Sequence, residues 1–386
     1  MALADRMSQV GGSSTLEITA KAKKMQKEGI DVVSFGAGEP DFDTPDHIKS
    51  VAVKAIESGF TKYTAAGGIP ELKDAISRKF KTDNGLDYTS GQIIVSSGAK
   101  HSIYNAIMVL CGKGDEVIIP SPYWVSYPEM VKLAEATPVL VDTSRESGFK
   151  LTREQLKKAL TKKTKLIILN SPSNPTGTVY TKEELEAIAE IAVAHNIYVL
   201  SDEIYEKLIY DGGKHYSIAS FNKKIYDLSI VVNGVSKTYS MTGWRIGYLA
   251  ASAQIVTAID NLQSHSTSNP VSISQKAALE AIVGDQAFIS TMRDEFRRRR
   301  DFMVETLASI KGFSPFKPAG AFYVFCDISK TGLSSVELCT RLLTEAKVAV
   351  VPGAGFGKDQ YIRFSFATGM ESIKKGLERI GTWVRQ

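Results

Sequence analysis

Cysteine is scarce. Cys111, Cys326 and Cys339 are too few and too far apart for a disulfide framework, and none belongs to a CxxC pair. They are expected to be reduced core thiols in a cytoplasmic protein. No stretch approaches the ~18 uninterrupted apolar residues that cross a bilayer, so no membrane segment is expected. The N-terminal MALADRMSQVGGSS lacks the basic region and apolar core of a secretory signal. HExxH, GxSxG and GxGxxG are absent, and the nearest approach is the GxGxG of Gly353, Gly355 and Gly357. Ser236-Lys237-Thr238 has the end of a Walker phosphate loop without that motif's first glycine. No metal ligand set is assigned, and metal and nucleotide chemistry lose their best support.

An excess of charge of one sign is also missing. Lys and Arg number 47 against 42 Asp and Glu, a net charge of +5, far from the basic footprint of a nucleic-acid binder. The one cluster, Arg297 to Arg300 in FRRRRDFM, is expected on an amphipathic helix, pairing with Asp294, Glu295 and Glu305 or lying along apolar surface. A hydrophobic content of 43% with 23% charged residues is that of a globular chain without low-complexity tracts. Single cores stop growing near ~250 to 300 residues, so a chain of 386 residues is expected to form two units. These are a large one over 45–284 and a small one from 1–44 with 285–386.

What is present is an alternation of apolar runs and helical spacing. Runs at 92–96, 116–120, 165–170 and 196–200 and the run from Leu228 predict strands. Segments 16–28, 47–58, 71–82, 97–110, 183–195 and 285–310 predict helices. This pattern is an α/β fold with a largely parallel central sheet sandwiched by helices, joined to a smaller α+β part made of short strands at 320–328, 348–352 and 361–366. Candidate functional residues fall at five successive strand ends, near Gly98, Trp124, Asn174, Asp202 and Lys237, where open α/β sheets bind ligands.

The chemistry is expected around LSIVVNGVSKTYSMTGWRIGY, Leu228 to Tyr248. Its apolar strand places Lys237 at the crevice, where partial desolvation favours the neutral amine, which can form a Schiff base with a carbonyl. Gly98, Ala99 and Lys100 open a helix whose N–H groups make an anion site, and Arg245 can bring a bidentate fork to the same crevice. Asp202 is a carboxylate in apolar surroundings and needs a cationic partner. The Asn174 amide can donate to an anionic oxygen.

SKTYSMTGWRIGY, with Arg245 eight residues after Lys237, resembles the signature of the class I aminotransferases among the fold-type I pyridoxal-phosphate enzymes. The resemblance continues in GEPDF (38–42), KYTAAGGIPELK (62–73), PYWVSYP (122–128), NPTG (174–177), SDEIY (201–205) and IRFSFA (362–367). Within the family the pattern is most similar to the bacterial aspartate aminotransferase subgroup. It implies pyridoxal 5′-phosphate bound as a Schiff base on Lys237, with Ser236, Gly98, Ala99 and Arg245 around the phosphate. Trp124 would stack on the ring, Asp202 would keep the ring nitrogen protonated, and Asn174 and Tyr205 would hydrogen-bond its phenolate oxygen. Tyr63 would reach the phosphate of the neighbouring subunit of a homodimer, and Gly38, Asn174, Trp124 and Arg363 would hold the substrate, Arg363 gripping the α-carboxylate.

In the subgroup typified by animal aspartate aminotransferases an arginine stands four residues before a Ser-Asn-Pro triplet, but Ser264 occupies that place before Ser268-Asn269-Pro270. Lys100 is the candidate replacement for binding the side-chain carboxylate, as a point charge without a planar fork. The expected activity is transamination between an L-amino acid, with aspartate first and glutamate/2-oxoglutarate as the other pair, and a 2-oxo acid. An aromatic or prephenate aminotransferase, or a pyridoxal-phosphate β-lyase, would use the same cofactor residues. A cofactor-sensing transcription regulator and a non-catalytic scaffold are weaker rivals, because the first would need an added DNA-binding segment where only about 30 residues precede the first motif, and the second would have no use for Asp202, Lys237, Arg245 and Arg363 together.

Overall fold

The computed structural model describes residues 4–12 and 14–386. Residues 1–3 and 13, part of the N-terminal stretch read above for a secretory signal, lie outside the described residues. The chain begins with α1 (Ser14–Lys27), β1 (Val33–Ser34), α2 (Asp46–Glu57) and α3 (Pro70–Lys79). A strand-helix alternation follows: β2 (Ile93–Ser96), α4 (Ala99–Leu110), β3 (Glu116–Ser121), α5 (Ser126–Leu133), β4 (Thr137–Asp142) and α6 (Arg153–Ala159). It continues through β5 (Thr164–Asn170), α7 (Lys182–His195), β6 (Tyr198–Asp202), α8 (Lys223–Leu228), β7 (Ser229–Gly234) and β8 (Gly247–Ala250). Helices α9 (Ala253–Ser266), α10 (Ser272–Val283) and α11 (Ala287–Ser309) lead to β9 (Ser314–Phe316) and β10 (Tyr323–Asp327). The chain ends with α12 (Ser335–Thr344), β11 (Val348–Ala349), β12 (Val351–Pro352), β13 (Tyr361–Ser365) and α13 (Met370–Val384).

The main sheet has the order β2-β8-β7-β6-β5-β3-β4. Strands β7, β6, β5, β3 and β4 pair in parallel, while β8 runs antiparallel to both its neighbours. Two reversals restore direction, so β2 again runs with β7 and the carboxyl ends of β2, β7, β6, β5 and β3 lie along one edge. Period-two alternation divides the core. Leu166 and Ile168 pack with Ile103 and Ile107 of α4 on one face, while Ile167 and Leu169 pack with Leu185 and Ile188 of α7 on the other. A second, four-stranded sheet, β12-β13-β10-β9, is antiparallel, and β1 pairs in parallel with β11 in a separate two-stranded sheet.

Three expectations are corrected. β4 intervenes in the chain between the functional strand ends, so these are not successive; it is the edge strand, with Leu140 49% exposed, and its short apolar run Val139–Val141 follows a proline. The helix expected over 71–82 is α-helical only to Lys79 and widens into a π turn over Phe80–Asn84. That turn lets both Lys79 and Asn84 reach the buried carboxylate of Glu206. On α11, Glu305 is not an arginine partner. Arg299 pairs with Asp41 at 2.7 Å as well as Glu295, and the fully buried Arg300 pairs with Asp211 and Asp301, because the inward face of a helix meets distant loops that local spacing does not reveal.

Candidate active site

The carboxyl edge of the main sheet opens into a cavity of about 400 Å³, lined among others by Lys100, Trp124, Asn174, Asp202, Lys237 and Arg363. Lys237 lies in the turn after β7 and donates from Nζ to the Gly38 carbonyl at 2.6 Å. Burial pushes its ammonium down to about 8, and Arg245 and Arg363 push the same way against Glu39. Asp202 ends β6. Tyr127 Oη donates to its Oδ2 at 2.6 Å and the Ile204 N–H to its Oδ1 at 3.2 Å. Burial nonetheless raises its carboxyl to about 6, with the Tyr127 hydrogen bond opposing.

Gly98 and Ala99 stand where β2 turns into α4. The first N–H groups of a helix have no carbonyl partner within it and point outward. Arg245 packs its guanidinium against Gly98, where a methyl group would overlap it, and donates to the Thr242 carbonyl at 2.8 Å. It does so from a left-handed backbone (φ 56°), a conformation that costs a non-glycine residue energy and clusters at functional sites. Gly247 of β8 is the matching concession, since a Cβ there would run into the Gly98–Ala99 backbone. Ser236, buried, lines the same cavity.

On the substrate-facing side, Arg363 of β13 is buried rather than solvent-facing. It donates to Asn174 Oδ1 at 2.9 Å and to the Gly36 carbonyl at 3.1 Å, while its Nε has no partner. With Oδ1 accepting from Arg363, the Asn174 amide is turned so that its Nδ2–H group can donate to a ligand. Tyr205 Oη shares a 2.9 Å hydrogen bond with Tyr323 Oη, and burial holds the Tyr205 hydroxyl protonated. The Lys100 ammonium sits 4.8 Å above the Trp124 ring, its proton affinity lowered by burial and by Arg245. Among the described residues, four cations (Lys100, Lys237, Arg245, Arg363) and one carboxylate (Asp202) line the cavity, an excess that suits a ligand with several negative charges.

Among the candidate site residues, Tyr63 lies away from the cavity, and Gly98 adjoins it through Ala99 and Arg245. Tyr63 is 89% exposed on the loop before α3. Ser236, Gly98, Ala99, Gly38 and the others converge. Three residues escaped the sequence reading: Tyr127, which fastens Asp202, Tyr323, which meets Tyr205, and Asn170, whose Oδ1 accepts from the Asn174 N–H at 2.8 Å. Tyr127 was legible as the last aromatic of PYWVSYP; the other two are marked only by strand-end positions, Asn170 closing β5 and Tyr323 opening β10. Behind Asp202, ligand-type atoms of Glu203, Glu206 and His215 lie within 4.8 Å of one another. Ser201 and Ser217 donate to Glu203, His215 meets it at 2.9 Å, and the Lys79 ammonium neutralises Glu206, so the group is internally paired.

The family model described as aminotransferase class I and II matches residues 30–380. The chain is 53% identical to an aspartate aminotransferase of Bacillus sp. (strain YM-2), over 99% of each chain. It is 49% identical to an aspartate/prephenate aminotransferase of Cereibacter sphaeroides, over 98% of this chain and 97% of that one. Among solved structures it is similar to an aspartate aminotransferase from Thermus thermophilus with maleate, with a TM-score of 0.96 at 43% identity over 99% of both chains.

Proposed function

This chain belongs to the class I and II aminotransferases, and from that premise we propose that it moves an amino group between L-aspartate and a 2-oxo acid, with glutamate and 2-oxoglutarate as the other pair. The family implies pyridoxal 5′-phosphate, and the cavity fits it. A guanidinium and a helix N-terminus flank Gly98, where even a methyl would clash. A buried carboxylate, Asp202, is short of a cation. The aromatic plate of Trp124 completes the donor set. Gly98, Ala99, Ser236 and Arg245 would hold the phosphate, Asp202 the ring nitrogen, and Asn174 and Tyr205 the phenolate oxygen, with Lys237 as the covalent anchor.

When bound, pyridoxal phosphate supplies the carbon that carries the amino group and a ring that delocalises the electron pair left at the substrate α carbon. The chain's own residues do the rest. Arg363 fixes the α-carboxylate by a planar fork, with Gly38 and Asn174 beside it, and Lys100 attracts the side-chain carboxylate. The Lys237 amine, with a pKa of about 8, is neutral often enough near pH 7 to take the α proton and acidic enough to give it back. Asp202 would keep a proton on the ring nitrogen, and the Tyr127 hydrogen bond favours the ionised carboxylate against the effect of burial. The observation that carries this reading is that Lys100 and Arg363, one cation for each carboxylate of aspartate, open on the cavity that holds Lys237.

A lysine at position 100, and the aspartate/prephenate name of the Cereibacter relative, support some turnover of aromatic substrates or prephenate. We further take the active unit to be a cytoplasmic homodimer in which Tyr63 reaches the neighbouring phosphate. Val53 and Ile56 of α2 and Val271 and Val283 at the ends of α10 are each at least 50% exposed, apolar side chains suited to burial against a second copy. The large unit, 45–284, would carry the cofactor, and 1–44 with 285–386 would form the small one. Among the described residues no helix is long and apolar enough to cross a membrane. The test is the absorption spectrum of the cofactor-loaded protein. Aspartate should convert the cofactor to its amino form and 2-oxoglutarate should convert it back, whereas ammonia release without such a cycle would point to β-elimination and overturn the proposal.

A further inference from the structure

We infer that two buried glutamines, Gln263 of α9 and Gln275 of α10, are positioning residues that act through Tyr63, holding its loop so that the ring projects from the surface toward a second subunit. The inference rests on the shared-site reading of Tyr63 above. It starts from a contrast. Tyr63 is 89% exposed, yet the loop on either side of it is fastened from within at nearly every residue. Ser272 Oγ donates to the Lys62 carbonyl at 2.6 Å. Gln275 Nε2 donates to Thr64 Oγ1 at 3.0 Å and to the Pro270 carbonyl at 2.8 Å, and its Oε1 accepts from the Ile69 N–H at 2.8 Å. Gln263 Nε2 donates to the Ala66 carbonyl at 2.6 Å and to the Val95 carbonyl at 2.8 Å. Its Oε1 accepts from Ser96 Oγ at 2.7 Å and from Asn105 Nδ2 at 3.2 Å. The Gly67 carbonyl is taken by the Val95 N–H at 2.9 Å.

Both glutamines are fully buried, and a buried amide is tolerated only when its hydrogen bonds are satisfied. Gln263 uses two donors and two acceptor positions, its full capacity. A core that needed only to be filled would use apolar side chains at these places. What the amides add is direction, because they fix backbone carbonyls and N–H groups of a loop that has no regular structure. Gln263 also joins that loop to Ser96 and to Asn105 of α4, the strand end and helix that form the Gly98 anion site. One side chain therefore registers the exported Tyr63 against the chain's own phosphate cradle. Gln275 touches only the loop and its flank, so its substitution separates the exported role from the internal one.

The experiment uses the full-length, cofactor-loaded dimer. Gln275→Ala, and the milder Thr64→Val should the first fail to fold, are expected to raise the cofactor dissociation constant about tenfold, the worth of one buried hydrogen bond, while the dimer remains folded. Each variant is then mixed, under subunit exchange, with Lys237→Ala. In the heterodimer the intact Lys237 meets a Tyr63 whose loop is held normally. Both tight cofactor binding and turnover at limiting cofactor should therefore return in that site. A merely structural role for Gln275 would weaken the site in its own subunit, and mixing would restore nothing. A parallel mixture of Tyr63→Phe with Lys237→Ala separates the two claims. Recovery there without recovery for Gln275→Ala or Thr64→Val overturns the positioning role alone, and no recovery there overturns the shared site and the positioning role together.

Discussion

Lys237 and Asp202 have had their proton affinities moved in opposite directions by the same cause, withdrawal from water. In the cofactor-free protein, acetylation of Lys237 should therefore rise through a midpoint near pH 8, well below the ~10.4 of solvent lysines. Peptide-resolved labelling checks this, and a midpoint near that of the other lysines would contradict it. Asp202 makes a linked prediction for stability. Its carboxyl moves from 3.8 to about 6 on folding, so the folded state is penalised above pH 6 and the penalty vanishes as pH falls toward 4. Cofactor-free Asp202→Asn should be more stable than wild type at pH 8, by up to about 2 to 3 kcal/mol, with the gain fading toward pH 4. Thermal unfolding at both pH values measures it, and an equal gain at both would remove the titration argument. Lys100→Ala should lower kcat/KM for aspartate by about one to two orders of magnitude and leave phenylalanine nearly unchanged, because a charged hydrogen bond is worth roughly 1.5 to 3 kcal/mol. Steady-state kinetics on both substrates decides, and equal losses would remove Lys100 from the specificity site.

At the scale of elements, what was legible depended on whether a signal is local. The run before Lys237 and the Gly-rich turn into α4 could be read because strand periodicity and turn chemistry are written in adjacent residues. β4 could not, since its side chains are partly exposed and its sequence, TPVLVD, has a proline and no clean alternation. The inward arginines of α11 were located on a helix, but their partners at Asp41 and Asp211 come from loops far away in the chain. The roles of Gln263 and Gln275 go unmarked in the sequence for the same reason. Arg300 gives this scale its test. It is fully buried, donates to the Pro318 carbonyl at 3.2 Å, and lies 4.7 Å from the Tyr210 ring centre. Arg300→Ala should destabilise the protein by about 2 to 4 kcal/mol, since it breaks several hydrogen bonds and leaves a void. Denaturant unfolding would show it, and a change below about 0.5 kcal/mol, typical of surface sites, would mean that the pairing is incidental.

At the scale of the whole molecule, one sheet edge gathers residues spread from Gly38 to Arg363 into a single cationic cavity. The motifs made the members of that site legible, down to Arg363, whose burial the strand pattern alone left open between solvent and core. What they did not assign was the support: Tyr127, inside a motif but without a role, beneath Asp202, and Tyr323 against Tyr205. Support of this kind depends on which elements meet in space, which a single sequence does not write down. The central claim remains that Lys237, among the chain's many lysines, is the one that holds the cofactor. Borohydride reduction of the pyridoxal-phosphate-loaded protein, followed by mass mapping of its peptides, tests it most directly. The account predicts one modified lysine per subunit, on the peptide that contains Lys237. A stable label on Lys100 or any other lysine, with Lys237 unmodified, would contradict it.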